Sequence, residues 1–317
     1  MGESAAEKVI VIVGPTAVGK TKLGIDLAKQ LDGEVISGDS MQIYRGMDIG
    51  TAKVTQEEMD GVIHHMIDIR DPEDSFSVAE FQALVRGHIR DISARGRLPI
   101  IVGGTGLYIQ AVLYDYIFSE EQDSDPELRR QLEEKAEAEG AEAVHRMLQE
   151  ADPESAARIH PNNVRRVIRA LEIYAVTGRT MSEGLERQEQ KLLYRAALIG
   201  LTMEREKLYD RINRRIDLMM QQGLLEEVQA LFQRGIRGSQ SIQAIGYKEL
   251  YAYLDGHIGL EEAVEALKTN SRRYAKRQFT WFRNKLDVEW FDVTNGGKTE
   301  EILRYAAGKL QLKSNKM

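Results

Sequence analysis

The sequence predicts an α/β protein: a P-loop NTPase-like parallel sheet core carrying a mostly helical insertion. Three observations point there. A β-branched apolar run leads directly into a glycine-rich phosphate-loop pattern, two later short apolar runs each end in a glycine-containing loop, and a long middle stretch shows no strand pattern. A chain of 317 residues, 42% hydrophobic and 29% charged with 27 Gly and 6 Pro, is long enough for about two domains and rich enough in apolar residues to bury a core.

The first strand is read at Val9 to Val13, and Leu23, Leu27 and Leu31, four apart, mark the helix after the loop. A second strand, Glu34 to Ser37, runs into GDSMQIY, and a third, Leu98 to Val102, into GGTGLY. Helices such as Val78 to Ala94 supply the crossovers, and ligands of open α/β sheets bind at the carboxyl ends of the strands. Gly14, Asp39 and Gly103 therefore mark the functional edge.

From about Ser119 the composition shifts, and residues 119–154 hold thirteen Asp or Glu against four Lys or Arg, in helix-forming sequence. Residues 116–197 are read as the helical insertion, with 1–115 and 198–317 as the core. Ala196 to Leu201 is read as the strand that returns the chain to the sheet, Asp287 to Val293 as a final strand, and the basic tail after Ala307 as frayed.

The absence of cysteine excludes disulfides, thiolate zinc sites, iron–sulfur clusters and a cysteine nucleophile. The N-terminal segment is acidic where a signal peptide needs a basic start, and the run at Val9 is too short to span lipid. No membrane association and a cytoplasmic address are expected. The net charge of −7 argues against indiscriminate nucleic-acid binding but leaves room for local basic patches. The histidines, including the adjacent His64 and His65, show no metal-ligand spacing and read as structural.

GPTAVGKT, comprising Gly14, Pro15, Thr16, Ala17, Val18, Gly19, Lys20 and Thr21, fits the phosphate-loop pattern in full, between a strand and a helix. Its glycines let backbone amides turn inward around phosphate oxygens, the helix N-terminus adds its dipole, Lys20 supplies a charge and Thr21 can ligate Mg²⁺. The bland alternative is a glycine turn without a ligand. Such loops mostly hold ATP or GTP, which makes a nucleotide-binding enzyme of the kinase class the default. Against it, the third strand ends in glycines and a threonine where a Walker B acid belongs, and the acid stands after the second strand, as Asp39. A carboxylate there suits a metal partner, a cap or a general base, and spacing does not choose among them.

Three basic clusters follow. Arg272 to Lys285 holds six Lys or Arg and no acid, interleaved with Tyr274, Phe279, Trp281 and Phe282; this suits looped RNA, or a merely solvated helix face. Around His160 to Arg179, Arg158, Arg165, Arg166, Arg169 and Arg179 oppose one acid, Glu172; Val164, Val167, Ile168, Leu171 and Ala175 make the buried stripe, so phosphate is the natural partner of the arginines and the acidic helix before them the alternative. Arg211 and Arg215, one helical turn apart, can clamp a diphosphate or pair with Asp210 or Asp217.

GPTAVGKT, GDSMQIYRGMDIGTAK, IVGGTGLY, NNVRRVIRALE, QAIGYKE and KRQFTWFR, in that order, resemble the tRNA dimethylallyltransferases over nearly the whole chain. Without cysteine for the zinc finger that eukaryotic relatives often add, the chain is similar to the bacterial form. The resemblance implies transfer of a C5 prenyl group from dimethylallyl diphosphate to the N6 amine of the adenosine 3′ to the anticodon, with Mg²⁺, by a protein expected to act as a monomer. It implies that Asp39 is the general base, which needs no raised pKa because the amine becomes acidic only as the bond forms, and that Thr105 orients the reacting groups. It further implies that Asp39, Ser40, Met41 and Gln42 contact the extruded base and that Gln243, Gly246, Tyr247 and Lys248 meet neighbouring nucleotides. Asn163, Val164, Arg165, Arg166 and Val167, with Lys276, Arg277, Gln278, Trp281 and Arg283, would hold the stem and loop. The insertion, retained with its arginines, favours tRNA over a free adenine nucleotide, its carboxylates facing solvent.

Overall fold

One all-parallel sheet organises the larger part of the chain, built in chain order from β1 (Lys8–Val13), β2 (Gly33–Ser37), β3 (His64–His65), β4 (Leu98–Val102), β5 (Arg195–Thr202) and β6 (Glu289–Asp292). Across the sheet the order is β3-β2-β4-β1-β5-β6. The computed structural model describes residues 6–115, 125–186 and 191–312. Two compact units emerge, Met1–Leu113 with Leu192–Met317, and Tyr114–Lys191.

In the first unit the sheet is joined by α1 (Lys20–Leu31), α2 (Gln56–Met59), α3 (Val78–Ala94) and α4 (Gly106–Leu113). The second unit contains α5 (Pro126–Glu139), α6 (Ala141–Ala151), α7 (Pro153–Arg158), α8 (Val164–Thr177) and α9 (Met181–Glu186). The chain then adds α10 (Arg205–Gln221), α11 (Leu224–Gln233), α12 (Tyr247–Leu254), α13 (Leu260–Lys285) and α14 (Thr299–Leu310) to the sheet unit.

β1 reads as an unbroken apolar run because it is central: Ile10 faces Ile100 of β4 on one side and Ala197 of β5 on the other. Val9 to Ile12 are fully buried, and each such side chain contributes about 1.5–3 kcal/mol on leaving water. α3 begins where Ser77 and Glu80 form a capping box, and it buries Phe81, Val85, Ile89 and Ile92 along one stripe. The helix after the phosphate loop buries Leu23 and Leu27, as their spacing predicts, whereas Leu31 stays half-exposed at its end.

The sequence reading has no counterpart for β3, a two-residue edge strand without an apolar run. It forms because Glu34, with a fully buried side chain, takes a hydrogen bond from His65 at 2.7 Å while Arg95 and Arg97 also reach its carboxylate. The Arg95 guanidinium foremost holds that carboxyl down at about 2, against the opposing effect of burial. The tail expected to fray after Ala307 instead stays helical to Leu310, whose side chain is fully buried one turn beyond Ala306 and two beyond Ile302. Residues 313–317 and part of the acidic run, residues 119–124, lie outside the described residues.

The helical unit closes on Leu132, Val144, Leu148, Ile159, Val167, Ile168 and Leu171. Glu172, the one acid of the arginine-rich helix, is fully buried there and accepts from the Arg129 and Arg169 guanidinium groups at 2.7 Å each and from the Asp125 N–H. Burial pushes its carboxyl up, but these donors hold it below the ordinary value. Among the described residues no helix is long and apolar enough to cross a membrane.

Candidate functional site

Three strand ends converge. Gly38, after β2, donates its N–H to Val102 O at 2.8 Å, and Gly103, after β4, donates to Ile12 O at 3.1 Å. A side chain on Gly103 would stand 2.3 Å from Gly38 O, so the two turns approach as only glycine allows. Gly14 begins the phosphate loop in the left-handed half of backbone space, where a Cβ would meet Leu201 O at 2.6 Å. Tight backbone contacts thus bring the loops bearing Lys20, Asp39 and Thr105 to one edge.

Lys20 Nζ donates to Pro15 O at 2.7 Å, while Thr21 is exposed at the start of α1. Pro15 has no N–H to offer a ligand, and the Val18 side chain is buried, so these two members of the loop serve through the backbone. Burial drives the Lys20 ammonium down to about 8, helped by Arg215 and resisted by the carboxylate of Asp39.

Asp39 Oδ1 accepts from the Met41 N–H at 2.8 Å. Burial lifts its carboxyl above the ordinary range, against the pull of Met41, Lys20 and Arg215. The cause is local: a carboxyl enclosed by the turn it caps loses more hydration than the nearby cations restore. Thr105 Oγ1 accepts from the Ser40 N–H at 3.2 Å and lies 3.4 Å from Ser40 Oγ.

Two adjoining cavities meet here, sharing Thr16, Ala17, Asp39, Thr51, Ala52 and Arg215 in their walls. The first, about 560 Å³, takes in Lys20, Thr21, Arg211 and Arg215, the residues expected to hold a diphosphate. The alternative pairings of those arginines do not occur: Asp210 pairs with Arg214 and Asp217 with Lys268. Burial weighs against the charge of Arg215, with Glu58 and Asp39 countering it. Asp26, Glu58 and Asp60, which were not singled out from the sequence, also line this cavity, as does His64, read there as structural.

The second cavity, about 370 Å³, is lined by Ser40, Met41, Gln243, Gly246, Lys248 and Arg277 among others, bringing together several residues expected at the base. Gln42 lines the first cavity, and its side chain is engaged within the protein, donating to Thr51 O and Ala52 O at 3.3 Å and accepting from Ser37 Oγ at 2.8 Å. Tyr247 is fully buried and donates its hydroxyl to Glu227 at 2.6 Å, so its side chain points away from any outer surface.

Along α13, Arg273, Lys276, Arg277 and Arg283 are exposed, while Ala275, Gln278 and Phe282 form the inner stripe. The segment expected to contact RNA therefore presents two chemistries. Gln278 is buried, accepting from Thr16 N–H at 2.8 Å and donating to Gly104 O at 3.0 Å. Expected on the RNA side, it instead holds the phosphate loop against the turn after β4. Trp281 packs over Gly106, where a Cβ would come within 2.3 Å of the ring. Tyr274, one turn before Gln278, lines the second cavity, and burial above all, then the charge of Asp39, pushes its phenol up to about 12. The sequence marks it only as one of the aromatics interleaved in the basic segment.

In the helical unit Arg165 and Arg166 are exposed and make no ion pair among the described residues, whereas Arg158 pairs with Glu154 and Arg169 with Glu172. Val167 is fully buried and Val164 packs against the same apolar cluster. Both valines, expected among the RNA contacts, thus turn their side chains into the helical core, because the α8 stripe that closes this core runs through them. Asn163 stands at the N-cap position of the helix, without a side-chain capping hydrogen bond, and is exposed.

A family model described as IPP transferase matches residues 42–285. Over 315 residues the chain is 70% identical to the tRNA dimethylallyltransferase of Bacillus cytotoxicus, covering 99% of each protein. It is equally similar, at 70%, to that of Bacillus anthracis. Among solved structures it is similar to the full-length tRNA isopentenylpyrophosphate transferase from Bacillus halodurans, at 57% identity and a TM-score of 0.73, covering 97% of this chain and 98% of that one. A eukaryotic dimethylallyltransferase acting on tRNA is similar at 34% identity and a TM-score of 0.77, covering 92% of this chain and 75% of that one.

Proposed function

The chain belongs to the IPP transferase family of tRNA dimethylallyltransferases, and from that premise we propose how its residues carry the reaction. It is a prenyl transferase that acts on tRNA, moving a dimethylallyl group from dimethylallyl diphosphate to N6 of the adenosine 3′ to the anticodon and releasing diphosphate. The observation that carries the assignment of roles is the pair of adjoining cavities with Asp39 in their shared wall, cations on one side and the base-facing residues on the other.

The diphosphate lies against the amides of the phosphate loop, with Lys20, Arg211 and Arg215 supplying charge. A lysine held at about 8 regains full protonation once a polyanion arrives, so donor binding and charging of Lys20 reinforce each other. As the allylic C–O bond breaks, negative charge grows on the departing diphosphate, where those cations are already aimed. The adenine amine attacks from the second cavity, the C–N bond forms, and Asp39 accepts the N6 proton. Its raised pKa makes it a stronger base than an ordinary carboxylate. An exocyclic aromatic amine is a poor nucleophile, so alignment by both cavities supplies much of the acceleration.

The donors present fit Mg²⁺, which binds through one or two protein oxygens, waters and substrate phosphates rather than an all-protein cage. Thr21, a residue of the first cavity's wall, would hold it through its hydroxyl. When bound, the ion neutralises charge on the leaving diphosphate. Exposed Arg165, Arg166, Lys276, Arg277 and Arg283 are read as the contacts to tRNA phosphates. Acting on tRNA, the enzyme is read as cytoplasmic and as a monomer.

The test is incubation of the protein with tRNA, Mg²⁺ and isotopically labelled dimethylallyl diphosphate, followed by nucleoside mass spectrometry. Label on the adenosine 3′ to the anticodon is expected. Label absent from tRNA, or appearing equally on free adenine nucleotides, would overturn the assignment.

A further inference from the structure

Glu227 of α11 is remote in sequence from the loops bearing Lys20 and Asp39, yet its carboxylate is saturated by Gly50 of the second cavity's wall and by residues adjoining the walls in sequence. Oε2 accepts from the N–H groups of Asp48 and Ile49, both at 2.8 Å. Oε1 accepts from the Gly50 N–H at 3.0 Å and from the Tyr247 hydroxyl at 2.6 Å. These four donors match the four acceptor positions of a carboxylate, and no cation pairs with Glu227 among the described residues. Three successive amides converging on one carboxylate fix the course of the turn they belong to.

That turn continues into Thr51 and Ala52, which line both cavities. Their carbonyls receive the Gln42 amide, Gln42 accepts from Ser37 Oγ, and Ser37 Oγ accepts from the Asp39 N–H at 3.4 Å. On the other side, Tyr247 follows Gly246 and precedes Lys248, both in the wall of the second cavity. The Tyr247 ring rests where a Cβ of Gly50 would come within 2.6 Å of it, so turn and ring are in direct contact.

We propose that Glu227 is a positioning residue for the transfer reaction, joining the Asp48–Ala52 turn to the Gly246–Lys248 segment and so setting the separation of the walls that receive donor and base. The inference rests on the proposed reaction. In that geometry Glu227 touches neither substrate, and its effect travels through Thr51, Ala52 and Tyr247.

The experiment compares wild type, Glu227→Gln and Tyr247→Phe, with steady-state kinetics for each substrate and thermal melting of each protein. Wild-type transfer to tRNA tests the reaction itself, independently of the variants. Glu227→Gln keeps the size of the side chain but turns an amide toward backbone N–H groups, so KM for both substrates is expected to rise about tenfold or more, with kcat falling less. Tyr247→Phe leaves the turn held and releases only the second wall, so KM for tRNA is expected to rise while KM for the donor stays within about twofold. A folded Glu227→Gln protein with both KM values at wild type overturns the proposal. If that variant does not fold, an unchanged KM for tRNA in Tyr247→Phe overturns it alone.

Discussion

Replacing Gln278 by leucine tests whether this side chain belongs to the phosphate loop or to the RNA surface. The native amide satisfies the Thr16 N–H at 2.8 Å and Gly104 O at 3.0 Å, and leucine satisfies neither. A buried polar group left unpaired costs about 1–3 kcal/mol, so two cost about 2–6 kcal/mol if the backbone holds its place. If the backbone relaxes instead, Thr16 is displaced and the loop that must cradle the diphosphate goes with it. Either the melting midpoint falls or KM for the donor rises, and in both cases the salt dependence of tRNA binding stays at wild type, because no phosphate contact is removed. The assays are differential scanning calorimetry, steady-state kinetics with varied donor, and tRNA binding across a salt series. A variant with unchanged melting and donor KM, but a flattened salt slope, would refute the reasoning and return Gln278 to the RNA side.

Three further outcomes are expected. Asp39→Asn keeps the shape of the side chain and the acceptor for Met41 N–H, and should lower single-turnover transfer by about 10²–10⁴-fold with tRNA affinity nearly unchanged; transfer at the wild-type rate removes Asp39 from the proton path. Because the folded-state value of Lys20 lies near 8, below the ordinary 10.5, the unfolded chain binds the extra proton between those values. This group therefore adds stability to the free protein as pH rises from about 8 to 10.5, while donor affinity falls above 8 unless a proton is taken up; calorimetric donor binding in two buffers of different ionisation enthalpy shows that uptake or its absence. Arg277→Ala and Arg166→Ala should each weaken tRNA binding and reduce the slope of log affinity against log salt by about one, with donor binding untouched; a slope equal to wild type in either variant removes that contact.

Amino-acid order alone was enough to locate the sheet and its phosphate loop. A β-branched run, a glycine pattern and a leucine repeat are local signals, and β1, the loop and α1 answer to contacts within a few residues or to simple burial on both faces. The same holds for α3, whose apolar stripe lies within its own seventeen residues and whose capping box adds only Ser77 before them. Charge clustering likewise marked Arg211 and Arg215, and their separation by one helical turn put both into one cavity.

Tertiary structure alone decided which polar groups face inward. Periodicity distinguishes an apolar face from a polar one, but it does not mark a glutamine that is buried because a backbone amide 262 positions away needs an acceptor. Gln278 thus looked like one more polar residue in a basic helix, and nothing along the chain set Glu227 apart. His64 and His65 form a strand only because Glu34 and the edge of β2 receive them. In each case the deciding energy is satisfaction of a buried group by a partner distant in sequence, which no window along the chain contains.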